Sequence, residues 1–149
     1  MKISRKDLAL LALRLVLGAA FVFHGFPKIQ HPTTWATHVL PGTPPFLAVV
    51  SAVAEFGGGI AILVGFGTQI AGFLIAANMV VAIFFVLVPH GAAFVSSAPG
   101  APTFELPLIY LVAAFTLVLL GAGSVSVDAL RSDRRNAGGR MGSRATARR

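Results

Sequence analysis

The sequence predicts an all-α integral membrane protein, a four-helix bundle with both termini on the cytoplasmic side. Hydrophobic residues make up 56% of the 149 residues and charged residues only 11%, whereas a soluble domain carries about a quarter charged residues. Four apolar segments have the length, roughly 20 residues, that a helix needs to cross the hydrocarbon core of a bilayer. Basic residues concentrate near the two ends of the chain.

The four predicted spans are residues 8–26, 46–66, 68–89 and 104–121. They are continuous apolar runs without the alternation of a strand, so we expect helices. The first run has a basic start and a conceivable cleavage site, as in a signal peptide. Arg14 in its middle and three further spans behind it favour a retained membrane helix instead.

The distribution of positive charge predicts the orientation. Of the twelve Lys and Arg residues, three precede residue 8 and seven follow residue 130, while Lys28 alone lies in a predicted external loop. Because basic residues remain on the cytoplasmic side, both termini are expected there. Residues 1–128 then form the transmembrane domain. Residues 129–149 form a basic cytoplasmic tail that we expect to be disordered and, beside a membrane domain, not to bind nucleic acid.

The connections between spans indicate how the helices are arranged. The turn at residues 65–68 is so short that the second and third helices must be antiparallel neighbours. In the first external loop, residues 32–40 could form a short helix with Trp35 at the headgroup level. After the last span, Ser124 or Ser126 is expected to cap a brief helix.

Glu55 lies near the centre of the second span, where a charge costs a few kcal/mol. We therefore expect it to face the bundle interior and to have a partner. Arg14 lies about 9 Å and Glu55 about 16 Å from the cytoplasmic edge, a difference that a guanidinium can bridge. The sequence thus predicts an Arg14–Glu55 ion pair, which is either a structural clasp or a site for a proton or a quinone.

Other polar residues suggest two further features. An external polar pocket is predicted from four residues that lie on the same side of the membrane: His24, Lys28, His90 and Glu105. Asn78, in the third span, is expected to form an interhelical hydrogen bond.

Metal and thiol chemistry receive no support from the sequence. The six-residue gaps between His24, His31 and His38 match no zinc motif, so no metal site is predicted. The chain contains no cysteine, which excludes disulfides, thiolate metal sites and dithiol redox centres.

Several stretches resemble the DoxX family of small four-span membrane proteins in their order and spacing. In chain order they are Arg14-Leu15 with Gly18, Phe23-His24-Gly25-Phe26-Pro27-Lys28-Ile29, Glu55 with Gly58-Gly59, Gly65-Phe66-Gly67-Thr68, and Gly121-Ala122-Gly123-Ser124-Val125-Ser126-Val127-Asp128. The sequence departs from the family pattern at Gln69, where Arg is frequent, and at Val127, where Leu is usual.

The resemblance implies a four-helix bundle in a bacterial or archaeal cell membrane. The family includes the small subunit of an archaeal thiosulfate:quinone oxidoreductase and membrane partners of redox-defence enzymes. It therefore implies a redox-associated membrane subunit, linked to quinone or to oxidative stress, with quinone as the possible cofactor. The chain would be at most a subunit of an enzyme, working with a membrane-bound or soluble oxidoreductase or as a homo-oligomer.

Two other functions are compatible with the sequence. A small dimeric transporter coupled to protons would also use an intramembrane glutamate, and Glu55 would then have to leave Arg14 during the transport cycle. A non-catalytic membrane anchor would hold a soluble oxidoreductase through the tail or the external loops.

Overall fold

A computed structural model describes residues 3–38, 41–96 and 98–135. It confirms the all-α fold class, since the described residues form helices and their only β-type pairing is an isolated bridge between Ala93 and Thr103. Four α-helices have both ends within the described residues, namely α1 Arg5–Gln30, α2 Pro45–Val64, α3 Thr68–Val81 and α4 Glu105–Leu120, and residues 127–135 are also α-helical.

Among the described residues, three helical stretches are long and apolar enough to cross a membrane. They are α1, α2 and the continuous stretch Thr68–His90, of 26, 20 and 23 residues. α4 is shorter, with 16 residues, or about 24 Å at 1.5 Å per residue. Large apolar side chains such as Phe23 and Phe73 are more than half exposed on the outer faces of the helices, as expected for a surface that contacts lipid.

α1 extends beyond both ends of the predicted span. It begins at Arg5 because Ser4 and Asp7 form a capping box, each accepting a hydrogen bond from the backbone N–H of the other. At the other end the helix continues through Pro27 to Gln30. This extension carries Lys28 on helical backbone instead of in a loop.

Close packing of α1 against α2 determines how the two helices align. A Cβ atom on Gly25 would lie 2.5 Å from the backbone nitrogen of Phe56, and one on Gly18 would lie 2.9 Å from the carbonyl oxygen of Gly59. Only glycine allows the backbones to approach this closely. The two contacts fix α1 and α2 as antiparallel neighbours in one register.

The turn between α2 and α3 also depends on glycine. Gly65 and Gly67 have φ angles of +72° and +55°, in the left-handed region that favours glycine. This turn makes α2 and α3 antiparallel neighbours, as the sequence predicts.

The end of the third helical stretch is irregular. α3 passes into a π-helical segment, Ala82–Leu87, and then a 3₁₀ turn, Val88–His90. Pro89 lies in that turn, and its missing N–H and its ring disfavour a continuing α-helix. The hydrogen bond from Val88 N to Ile83 O is accordingly one residue longer than an α-helical bond.

The brief helix that the sequence predicts after the last span is present, and it includes residues 129–135 of the predicted tail. Residues 127–135 are helical, and Ser126 caps them by accepting a hydrogen bond from Ala129 N at 3.1 Å. Arg131 lies over the ring of Phe66, 4.9 Å from its centroid. The rest of the predicted tail lies outside the described residues.

Candidate functional site

Glu55 lies in a polar cluster between three helices. Its side chain is 3% exposed. Lys28 Nζ of α1 is 2.5 Å from Glu55 Oε1, and Asn78 Nδ2 of α3 donates a hydrogen bond to the same oxygen at 2.7 Å. Ser51 Oγ, one turn before Glu55 on α2, donates to Asn78 Oδ1 at 2.9 Å. We call Lys28, Ser51, Glu55 and Asn78 the Glu55 cluster; it contains the interhelical hydrogen bond expected of Asn78.

The second carboxylate oxygen of Glu55 has no partner among the described residues. Oε2 is buried and accepts no hydrogen bond, although both donors of the cluster contact Oε1. A buried acceptor without a donor costs about 1–3 kcal/mol, more when it is charged. Native proteins leave few such atoms, and each calls for an explanation such as a catalytic role or a bound molecule.

Lys28 is the member of the cluster that lies partly at the surface of the protein. Its side chain is 25% exposed, and its ammonium group lies 4.3 Å from the centroid of the Trp35 ring. Trp35 is held in place because its Nε1 donates a hydrogen bond to Ala48 O of α2 at 2.9 Å. The ammonium therefore lies between a carboxylate on its inner side and an aromatic face, a favourable environment for a cation.

The structure does not contain the predicted Arg14–Glu55 ion pair. Arg14 is 1% exposed, but its guanidinium donates only to backbone carbonyls. Nε and Nη2 donate to Ile62 and Leu63 at 2.9 Å, and Nη1 donates to Ala122 and Val125 at 2.9 and 2.7 Å. Arg14 thus joins backbone carbonyls at the end of α2 to those of the segment that follows α4.

The register of α1 against α2 explains why this prediction was wrong. Gly25 lies against Phe56, so the part of α1 level with Glu55 is near residue 26. Arg14 is about 12 residues from that level, or roughly 18 Å along the helix. Lys28 is only about half a turn beyond it. The estimate from the span edges placed Arg14 too deep, since it is level with the end of α2.

Two aspartates strengthen the same end of the bundle. Asp7 Oδ1 accepts a hydrogen bond from Ser124 N at 2.8 Å. Asp128 accepts hydrogen bonds from the backbone N–H groups of Gly67 and Thr68, at 2.8 and 3.1 Å, and so satisfies free donors at the start of α3. Sequence reasoning did not assign these contacts, although Asp7 stands at the capping-box distance from Ser4.

The four residues of the predicted external pocket have separate contacts in the structure. Lys28 contacts Glu55, as described. His24 packs against Tyr110, with ring centroids 5.9 Å apart, and His90 Nδ1 lies 2.5 Å from Val86 O. Glu105 is exposed in the first turn of α4. No hydrogen bond or ion pair joins any two of these four residues.

Comparison with known proteins places the chain in a family. The sequence model of the DoxX family matches residues 9–88, which is more than half of the chain and includes most of α1 and all of α2 and α3. The chain belongs to the DoxX family. The matched region contains every member of the Glu55 cluster as well as Arg14, so both buried charges belong to the family domain of this membrane protein.

Two relatives resemble the chain over most of its length. A Bacillus subtilis (strain 168) protein named "Putative oxidoreductase CatD" is 30% identical over 123 residues, covering 82% of this chain and 86% of that protein. An "Uncharacterized protein" of Haemophilus influenzae is 32% identical over 119 residues, covering 78% of this chain and 85% of the relative. No solved structure matches the chain.

Proposed function

We propose that this DoxX protein is a redox-associated subunit of the cell membrane that binds the head group of a quinone at the Glu55 cluster. The observation that carries the proposal is the buried, unpartnered Oε2 of Glu55. An acid in the interior of a membrane protein indicates a functional site by default, and here one of its oxygens lacks a hydrogen-bond donor among the described residues. The name of the Bacillus subtilis relative is consistent with redox chemistry.

The residues of the cluster fit a quinone head group. A quinone carries two electrons and two protons through the bilayer, with hydroxyl groups when reduced and carbonyl groups when oxidised. Glu55 Oε2 would accept a hydrogen bond, and then a proton, from a hydroxyl group. Lys28 stabilises the negative charge of the carboxylate by pairing with Oε1. Its partly exposed ammonium could also donate a hydrogen bond to a second oxygen of the ligand.

Electrons would be exchanged with a partner oxidoreductase, either membrane-bound or soluble. The chain has no cysteine, so it has no dithiol through which electrons could pass. We therefore assign quinone binding and proton exchange to this subunit and electron transfer to the partner. The partner could bind at the external loops or at the helical segment 127–135.

The single tryptophan of the chain provides a direct test. Trp35 contacts Lys28, so a quinone bound at the cluster would quench its fluorescence. The protein in lipid nanodiscs is titrated with a short-chain benzoquinone, with free tryptophan in empty nanodiscs as the baseline. We expect saturable quenching in the wild type and at least about tenfold weaker binding in Lys28→Met, which loses a charged donor.

A matched variant controls for the loss of a charge. Glu105→Gln removes an exposed carboxylate outside the cluster and should bind the benzoquinone as the wild type does. Non-saturable quenching in the wild type would contradict quinone binding. Equal affinity of Lys28→Met and the wild type for the benzoquinone would show that it binds outside the Glu55 cluster.

One observation supports proton-coupled transport as a second candidate. A transporter would need Glu55 to be free of Arg14, and Glu55 is bound instead to Lys28, which is partly exposed. In proteoliposomes, a pH gradient would then drive uptake of an organic cation by the wild type but not by Glu55→Gln. Uptake without quinone binding would favour this candidate over the redox subunit.

A further inference from the structure

We infer that the Glu55 cluster discriminates between the redox states of its ligand and binds the reduced quinol more tightly than the oxidised quinone. This inference rests on the proposed function for the class of ligand. It adds a preference for one redox state of that ligand. The preference follows because the donors of the cluster already form hydrogen bonds and one acceptor does not.

The hydrogen bonds within the cluster determine which of its buried groups donate and which accept. Glu55 Oε1 receives both available donors, Lys28 Nζ and Asn78 Nδ2. Asn78 turns its amide nitrogen toward Glu55 because a carboxylate can only accept, and its amide oxygen accepts a hydrogen bond from Ser51 Oγ. Asn78 therefore presents a donor to Glu55, and that donor is already used.

The remaining buried group of the cluster is an acceptor. Glu55 Oε2 can only accept while the carboxylate is paired with Lys28. A quinol hydroxyl supplies the missing donor. A quinone has only carbonyl oxygens, so it would leave Oε2 unsatisfied and place one acceptor against another. The Lys28 ammonium can donate to an oxygen of either form, so it is not the group that favours the quinol.

The variant Glu55→Gln should change this preference in a defined direction. Lys28 and Asn78 both donate, so the glutamine oxygen is expected to replace Oε1 and keep them. The glutamine amide nitrogen then occupies the position of Oε2 and presents a donor where the wild type presents an acceptor. A quinone carbonyl now fits that position and a quinol hydroxyl gains no advantage there.

The preference is measured by redox titration of a short-chain benzoquinone with the protein in nanodiscs and in empty nanodiscs. We expect the wild type to bind the quinol at least about tenfold more tightly than the quinone, the effect of one hydrogen bond to a charged group. For a two-electron couple, this raises the midpoint potential of the bound quinone by about 30 mV or more. Glu55→Gln should abolish or reverse the shift, and Glu105→Gln should keep it.

The outcomes separate the inference from the proposed function. Binding of both forms with equal affinity by the wild type, or an unchanged preference in Glu55→Gln, would overturn the inference while quinone binding stands. Binding of neither form would refute the proposed function itself. The wild-type titration decides the preference alone, so the test does not depend on whether Glu55→Gln folds.

Discussion

At the scale of single residues, the two buried charges Arg14 and Glu55 are accommodated in different ways. Arg14 donates to four backbone carbonyls and is fully enclosed. Glu55 has two donors on one oxygen and none on the other. The complete hydrogen bonding of Arg14 is typical of a structural role, and the incomplete hydrogen bonding of Glu55 is the reason why we propose a functional role for it.

The structural role of Arg14 predicts that lysine cannot replace it. A lysine has three donors on one atom and lacks the planar fork that reaches carbonyls on two segments, so at least one buried carbonyl loses its donor. We expect Arg14→Lys to lower the free energy of unfolding by about 2 kcal/mol or more. The measurement is unfolding in detergent, with Arg134→Lys, at an exposed arginine, as the control. Equal stability of the two variants would contradict the assigned role.

At the scale of the helices, glycine contacts between α1 and α2 create the site. Gly18 and Gly25 bring α1 close to α2, and this register sets Lys28 beside Glu55. The extension of α1 past Pro27 then gives the ammonium group a fixed helical position. The site therefore depends on packing between backbones as much as on its polar side chains.

This dependence predicts opposite effects for two glycines of the same pair of helices. Gly25→Ala places a Cβ 2.5 Å from the Phe56 backbone, so the helices must shift, at a cost of about 1–3 kcal/mol. Gly57 has nothing within 4 Å of the corresponding position. Gly57→Ala should be neutral or stabilising by up to about 1 kcal/mol. Unfolding in detergent compares them, and equal effects would show that the contact at Gly25 does not determine stability.

At the scale of the whole molecule, composition and apolar length were enough to predict the all-α membrane bundle. The same reasoning identified Arg14 and Glu55 as inward-facing, because charge within an apolar run leaves few alternatives. It could not pair them correctly. A depth counted from the ends of the apolar runs ignores the extra turns of α1. The partners of Arg14 are backbone carbonyls, which a pattern of side chains cannot reveal.

The orientation of the bundle remains a prediction from the positive-inside rule, and the absence of cysteine makes it easy to test. Ser96→Cys labels the connection between α3 and α4, and Ser4→Cys labels the start of α1. In intact cells, a membrane-impermeant maleimide should modify the cysteine at 96 and reach the one at 4 only after permeabilisation. The reverse pattern would contradict the cytoplasmic placement of the termini.

A double-mutant cycle tests the central claim, that Glu55 is bound to Lys28 and not to Arg14. Unfolding free energies in detergent are measured for Lys28→Met, Glu55→Gln and the double variant, and for the matching set with Arg14→Lys. We predict a coupling of at least about 1 kcal/mol between Lys28 and Glu55, and additivity within about 0.5 kcal/mol between Arg14 and Glu55. Additivity in the first set with coupling in the second would contradict the account.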